Sequence, residues 1–352
     1  MILRGITTDN FRNLEPASVE FHPKTNLIVG RNGQGKTNLL EAIYLLATTK
    51  SFRTPRTQTV FHFGDNTLFV SGTIRRDHVD RTLSVGLETG ENRRRVLMVN
   101  GERVPLHEYL RAMTVFAYSS ARLEILRGVP EERRRFIDRG VASIEASFLP
   151  AITRFSRTLK QRNAQLQSGS AQGLAAWDEE FVERSNGIQE DRAAYVDTLR
   201  TAFNEIVAKF DVRPVEMTYK PSKPDPSRRS EELRAGTTLT GPQRDNLEFT
   251  VDGRPAHEVL SGGELKLTVL LLKYAKLALF HHREEDDALF VLDDIDAELD
   301  VEILRKLLTS LPPQTQVFAT SAKDRLISEL ATGSHRRLTV ENGRVTGTED
   351  FG

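Results

Sequence analysis

Gly30-Arg31-Asn32-Gly33-Gln34-Gly35-Lys36-Thr37 satisfies G-x-x-x-x-G-K-[ST] at every fixed position. The flanks are those the motif needs to work. Asn26-Leu27-Ile28-Val29 is an apolar run of strand type, and Asn38 to Leu46 reads as a helix. Glycines let the backbone turn tightly, so that successive N–H groups point into one concavity and meet phosphate oxygens. The helix that starts there adds the positive end of its dipole. Lys36 is expected to reach the β- and γ-phosphates, and the Thr37 hydroxyl to ligate Mg²⁺. The stretch from Gly30 to Thr37 predicts a nucleoside triphosphate site with Mg²⁺.

Composition sets wide bounds. A chain of 352 residues can hold two or three domains with full cores. Lys+Arg and Asp+Glu are both 49, a balance that neither signals nor excludes nucleic acid. The absence of cysteine removes disulfides and thiolate metal sites and suits a reducing cytosol. The N-terminus is too short and too soon charged for a signal peptide. The most apolar stretch, Leu265 to Phe280, is interrupted by Lys266, Lys273 and Lys276, so no membrane span is expected. A soluble, cytoplasmic protein is the expectation.

The first 120 residues read as strand-rich outside the phosphate-loop helix. Leu68, Val70 and Ile74 alternate with polar or small residues, as do Leu83, Val85 and Leu87, and Asn100-Gly101 predicts a hairpin turn. Residues 50–66 read as a loop. Helical character begins near Arg122, with Pro130-Glu131-Glu132 opening a helix, and continues over Ala146–Gln167 and Ala175–Phe210. The break between the last two is Ser168-Gly169-Ser170-Ala171-Gln172-Gly173, and Lys220 to Ser227 reads as a linker. Strands are then expected at Leu247–Val251, Ala288–Leu292 and Gln316–Thr320, and helices from Ser261 to about His282, over Val301–Ser310 and around 323–331. Such alternation predicts a parallel sheet. A hairpin turned by Asn342-Gly343 closes the chain.

Leu289-Phe290-Val291-Leu292-Asp293-Asp294 is four apolar residues followed by two acids, as a buried parallel strand delivers them at its carboxyl end. Asp293 is expected to hold Mg²⁺, directly or through water. Asp294 is expected to orient or deprotonate an attacking water. Leu260-Ser261-Gly262-Gly263-Glu264 opens the helix upstream, and two unhindered N–H groups, a hydroxyl and a helix dipole there make a second anion site. An ordinary N-cap serine is the plainer reading of the same residues.

Gly263 precedes Asp293 by 30 residues, and in that order Ser261-Gly262-Gly263 resembles the signature of the ATP-binding-cassette (ABC) superfamily. Asp296-Ala297-Glu298-Leu299-Asp300 resembles its D-loop. Where transporter subunits of that superfamily carry a histidine after the next strand, this chain has Ala319-Thr320-Ser321. Asn10-Phe11-Arg12-Asn13-Leu14, the Gly128–Arg139 stretch and Thr240-Gly241-Pro242-Gln243-Arg244-Asp245 resemble the RecF family of bacterial DNA replication and repair proteins. Two positions depart from that family's pattern. Ser119-Ser120-Ala121 stands where Pro-Glu or Pro-Asp is frequent, and Gln243 where histidine is frequent.

The resemblance implies an α/β fold: an ABC-type ATPase head with a mixed or parallel sheet and an antiparallel β subdomain, plus an inserted, mainly helical lobe. The head is expected from 1–120 and 236–352, the lobe from 121–235. It further implies an ATP-dependent DNA-binding protein with slow, DNA-stimulated ATPase activity. Its members dimerise with ATP held between the phosphate loop of one copy and the signature of the other. They act on gapped or junction DNA with RecO and RecR, promoting RecA loading. The rival reading is a transporter ATPase, which would need a membrane partner. The arginine clusters at 75–76, 93–95, 133–135 and 228–229 read either as phosphate contacts or as solvated faces.

Overall fold

The computed structural model describes residues 1–54, 56–90, 94–121, 123–169, 173–284, 287–295, 300–323 and 333–352. The D-loop-like residues 296–299, residues 324–331 of the helix expected around 323–331, Arg93, Pro55 and residues 170–172 lie outside the described residues. By their contacts the residues divide into two compact units, Met1–Arg122 with Phe280–Gly352, and Leu123–Leu279. Residues 236–279, grouped with the ATPase head in the sequence reading, cluster by contact with the helices of the second unit.

The first unit opens with β1 (Ile2–Asp9), β2 (Ala17–Glu20), β3 (Thr25–Val29) and α1 (Lys36–Thr48). β4 (Thr67–Arg76), β5 (Val79–Glu88), β6 (Arg94–Val99), β7 (Glu102–Arg103), α2 (Leu106–Ala112) and β8 (Val115–Ser119) come next. The second unit holds α3 (Glu124–Arg127), α4 (Pro130–Ile144), α5 (Phe148–Gln167), α6 (Leu174–Val207), β9 (Glu216–Lys220), α7 (Arg229–Ala235), β10 (Asn246–Val251), β11 (Arg254–Pro255) and α8 (Ala256–Val259). α9 (Gly262–Glu284) leads back to the first unit. There β12 (Leu289–Asp293), α10 (Val301–Ser310), β13 (Gln316–Ser321), β14 (His335–Glu341) and β15 (Arg344–Phe351) complete the chain.

Two sheets enclose α1. One is antiparallel, in the order β2-β1-β4-β5-β6-β7; its inward residues are the alternating apolar ones, Leu68, Val70 and Ile74 on β4 and Leu83, Val85 and Leu87 on β5. The other runs β15-β14-β3-β13-β12-β8, with β14, β3, β13, β12 and β8 mutually parallel and β15 antiparallel at one edge. α1 is built from strong helix formers and is apolar on nearly every side because both sheets pack on it; Leu39, Leu40, Ile43 and Leu46 join one core with β1, β4, β12 and β13. The register brings Val29, Ser321, Asp293 and Ser119 to one end of four neighbouring strands, the carboxyl end at which parallel sheets bind ligands.

In the second unit α5 and α6 form the expected helical pair, and Gly140 of α4 lets Tyr195 of α6 pack where a Cβ would stand. The Thr240–Asp245 segment is anchored by Asp245, which is wholly buried. Its carboxylate accepts from Arg192 at 2.8 Å, Gln189 at 2.8 Å and the Ser222 backbone N–H at 2.8 Å, and from the Tyr219 hydroxyl. Arg192 also pairs with Asp138 at 2.8 Å. Removing Arg192 leaves the buried Asp245 carboxylate without its charge partner, which costs about 3–5 kcal/mol, whereas Arg192 without Asp245 still has Asp138.

Several of the arginines in the clusters have partners within the chain. Arg134 donates to the Asp245 carbonyl at 2.9 Å, Arg133 to Asn246 at 3.0 Å and to the Gly128 carbonyl at 2.7 Å, and Arg135 to Glu132 at 2.8 Å. Arg75 pairs with Asp80 at 2.7 Å and Arg228 with Glu231 at 2.8 Å. Arg133 and Arg134 tie α4 to the Asp245 segment and Arg75 ties β4 to β5, while Arg135 and Arg228 pair with acids three or four residues away in sequence.

Candidate nucleotide site

The phosphate loop is shaped by what surrounds it. Gly30 has φ +148°, and a Cβ there would overlap the Val340 carbonyl oxygen of β14, so only glycine fits. Gly35 caps α1 in the left-handed region at φ +112°. The Asn342-Gly343 turn holds the loop from outside: the Asn342 N–H donates to the Gln34 side chain at 2.8 Å, and the Gly343 N–H donates to the Gln34 carbonyl at 2.8 Å. The closing hairpin, read from sequence only as a chain end, is thus a strut of the site. Lys36 is buried, and its ammonium donates across the loop to the carbonyls of Gly30 at 2.7 Å and Arg31 at 3.0 Å. Arg31, Asn32 and Gly33 form the exposed rim.

The two acids arrive from 256 residues away. Thr37 Oγ1 donates to Asp293 Oδ1 at 2.8 Å, and Thr320 Oγ1 donates to the same oxygen at 2.9 Å. Ser119 Oγ reaches Asp293 Oδ2 at 3.3 Å, and Ser120 Oγ reaches Asp294 Oδ2 at 3.2 Å. The hydroxyls of Ser119, Ser120 and Thr320 had no assigned part in the sequence reading. They stand at Ser119-Ser120-Ala121 and Ala319-Thr320-Ser321, two places where the chain differs from related patterns, and the register of β8 and β13 against β12 is what places them. Asp294 adopts φ +54°, an unusual value for a non-glycine residue, and its N–H donates to Thr320 Oγ1 at 2.8 Å. That turn swings Asp294 out of the strand into solvent, while Asp293 stays buried.

A carboxylate oxygen and a hydroxyl this close are the hard donors that Mg²⁺ takes, with water and phosphate left to fill its other positions. The residues fit the ion. Burial raises the Asp293 carboxyl above its ordinary value, against the pull of the Thr37 and Thr320 hydrogen bonds, and the Asp294 charge adds to the rise. A raised acid stabilises the fold fully only below the unfolded carboxylate range, and that contribution is lost as pH climbs through the folded value. The nucleotide-free protein therefore carries a cost for ionised Asp293 at neutral pH. Asp293→Asn is expected to melt about 2–4 °C higher than wild type at pH 7.5, roughly what 1 kcal/mol is worth in a domain of this size. The gap should close toward pH 4, and Mg²⁺–nucleotide should stabilise the variant less. Calorimetry across pH checks it; a variant that melts lower at pH 7.5 would show that the carboxylate is no burden there.

A second network backs the helix. Glu41 of α1 has no exposed surface; Arg12 grips it with two bonds of 2.9 and 2.8 Å, and Ser51 donates to it as well. Arg53 donates to Asn38 at 2.7 Å and lies 3.4 Å from Glu41, and its charge is felt at Asp293. This is the work of Arg12 in the Asn10–Leu14 motif. Arg53 was read only as a loop residue, and the positive charge in a polar loop was the one available signal.

Ser261 starts α9 as half of a capping box: its N–H donates to Glu264 at 2.8 Å, and its hydroxyl accepts from the Glu264 N–H at 3.3 Å. Ser261 and Gly262 are exposed. The structure thus gives Ser261 the part of a helix cap, the plainer of its two readings. Among the described residues no helix is long and apolar enough to cross a membrane.

A glycine-rich loop at the end of β3, paired acids at the end of β12 and an antiparallel sheet over α1 define an ABC-type ATPase head with a helical insert. The sequence pattern of the RecF/RecN/SMC N terminal domain matches residues 2–345. Curated relatives include the DNA replication and repair protein RecF of Geotalea daltonii, 32% identical over 98% of this chain and 100% of the relative. The RecF of Shewanella baltica is 33% identical over 99% and 100%. The chain belongs to the RecF family. A solved structure of the recombination mediator protein RecF–ATPrS in the RecFOR pathway superposes with a TM-score of 0.84 at 25% identity, covering 97% of this chain and 96% of that one. An Smc head bound to the C-winged helix domain of ScpA shares the fold, with a TM-score of 0.60 at 17% identity.

Proposed function

We propose that this protein is an ATP-dependent DNA-binding protein that dimerises on ATP as a clamp, acting on gapped or junction DNA in recombinational repair and replication restart. RecO and RecR are its expected partners and RecA loading the expected outcome, in line with the RecFOR pathway named for its structural relative. The observation that carries the nucleotide half of this reading is the 2.8 Å bond between Thr37 and Asp293, which joins the phosphate loop to the acidic strand end. The head is taken as 1–120 with 236–352, and the lobe as 121–235.

In this reading the loop N–H groups and Lys36 bind the β- and γ-phosphates. Thr37 and Asp293 hold Mg²⁺, which would supply charge neutralisation at the phosphates. Asp294, exposed on its left-handed turn and steadied by Ser120, accepts the proton of the attacking water. Ser261, Gly262 and Gly263 of a second copy close over the nucleotide. Turnover is slow, so hydrolysis acts as a switch that releases the clamp.

Mass in solution with and without ATP, repeated with gapped DNA, tests the whole reading; a monomer under all conditions would overturn it. Asp294→Asn should retain nucleotide and lose hydrolysis by about 100-fold or more, the scale of general-base catalysis. The variant should accumulate as an ATP-bound dimer. Steady-state phosphate release checks this, and wild-type turnover would move the role to another residue.

A further inference from the structure

The alternation that buries Leu68, Val70 and Ile74 of β4 sends Phe69, Ser71, Thr73 and Arg75 to the opposite, outer face of the antiparallel sheet. On that face the cross-strand pairs between β4 and β5 are polar: Thr67 with Glu88, Ser71 with Ser84, Thr73 with Thr82, Arg75 with Asp80. One pair breaks the pattern. Phe69, 37% exposed, stands opposite Gly86. Val96 of β6 continues the same row on one side, and Asp9 of β1 closes it on the other.

Gly86 is the residue that the fold does not require. A glycine inside a strand weakens it, and marks a bulge, a tight bend or a place where another group approaches the backbone closely. The pairing of β5 runs through Gly86 without a shift against both neighbours, and Gly86 is not among the glycines with positive φ. A Cβ there would meet nothing nearer than Val96 Cβ at 3.8 Å and Phe69 Cδ2 at 3.9 Å, which are ordinary contacts. Alanine would therefore fit. Close approach is the explanation left, with Gly86 as a bare floor between two apolar side chains.

That floor lies in an open groove of about 700 Å³, lined on its β6–β7 side by Arg94, Arg95 and Arg103. All three are exposed. Arg95 donates to Thr49 at 3.1 Å. Among the described residues Arg94 and Arg103 have no ion-pair partner, although Glu88 stands opposite Arg94 in the register. They differ in this from Arg75, which is held by Asp80 on the same face.

We propose that this groove docks an extended acidic segment of a partner protein. The segment sets an apolar side chain on the Gly86 floor between Phe69 and Val96, and its carboxylates on Arg94 and Arg103. An apolar anchor in a pocket with a charged rim is how short segments gain both affinity and register. Guanidinium groups suit carboxylates because two parallel hydrogen bonds form at once. Asp9, at the far end of the row, repels an acidic stretch and so fixes which way the segment lies. Asp9 and Glu88 also oppose a nucleic acid, whose backbone needs cations along its whole track.

Fluorescence anisotropy of the full-length, nucleotide-free protein tests this independently of the nucleotide reading. The probe is a labelled peptide with a leucine followed by a run of glutamates in a glycine–serine frame. Its controls carry lysines for the glutamates, or serine for the leucine. Wild type should bind the leucine–glutamate peptide at least tenfold more tightly than either control, the scale of one charge-assisted hydrogen bond. The double variant Arg94→Glu with Arg103→Glu should reverse the preference and select the lysine peptide, which a misfolded protein would not do. Gly86→Ala should melt no lower than wild type, yet weaken the leucine–glutamate peptide by about fourfold or more, the scale of one buried methylene. Equal binding of all three peptides, or of none, would overturn the proposal, as would wild-type peptide affinity in Gly86→Ala. So would a double variant that loses a double-stranded oligonucleotide while its peptide preference stays as in wild type, since the arginines would then serve phosphates. Should the double variant not fold, Gly86→Ala decides alone.

Discussion

Lys36→Ala is expected to weaken ATP binding by about 100- to 1,000-fold, the loss expected when a charge-assisted contact to phosphate is removed from a partly buried site. The side chain already lies across the loop, donating to the carbonyls of Gly30 and Arg31. It therefore reaches its working position without reorganisation, and most of its attraction for phosphate is realised on binding. Those two contacts tie Lys36 to the loop. ATP-dependent dimerisation and DNA binding should fail together with nucleotide binding. Labelled ATP at equilibrium is the measurement. Wild-type affinity in a folded variant would remove Gly30–Thr37 from the nucleotide site.

Ser261→Arg should separate binding from assembly. Ser261 belongs to the second compact unit and the phosphate loop to the first. In the clamp reading the serine meets a nucleotide held by another copy. The substitution removes the capping box with Glu264, a local cost of about 1 kcal/mol, and sets a cation against the positive end of α9. Each monomer should fold and bind ATP as wild type does. Dimerisation should fall by at least the factor of about 10 that 1.4 kcal/mol represents, and hydrolysis and ATP-dependent DNA binding should fall with it. Light scattering with ATP decides the matter. A dimer as stable as wild type would leave Ser261-Gly262-Gly263 a helix start and nothing more.

Two departures from related patterns have a physical account in the first unit. Where a charged or cyclic residue is frequent after β8, this chain places two hydroxyls, and both reach the acids at the end of β12. In the Ala319-Thr320-Ser321 stretch, Thr320 donates to Asp293 and accepts from the Asp294 N–H. The buried acid is thus held by hydroxyl groups. Such groups satisfy a carboxylate without neutralising it, which leaves its charge available to a cation.

The phosphate loop, the apolar strand with its two acids, the alternation on β4 and β5 and the Asn-Gly turns were all legible in the sequence, because each depends on residues close along the chain. A glycine at φ +148°, a period of two, and an apolar run ending in acids are local constraints, and local constraints leave local patterns. What tertiary structure alone decided is everything set by strand register and by charges that meet across the fold. Asp293 and Ser119 become neighbours because β12 and β8 pair in parallel at that register. Glu41 is a buried anchor because Arg12 lies 29 residues away in sequence and beside it in space. Arg133, Arg134 and Arg135 look alike in sequence, yet two reach inward to the Asp245 segment and the third stays on its own helix turn. Sequence carries the sign of a charge but not its partner, and whether an arginine braces the fold or faces solvent depends on which carboxylate or carbonyl the fold brings within reach.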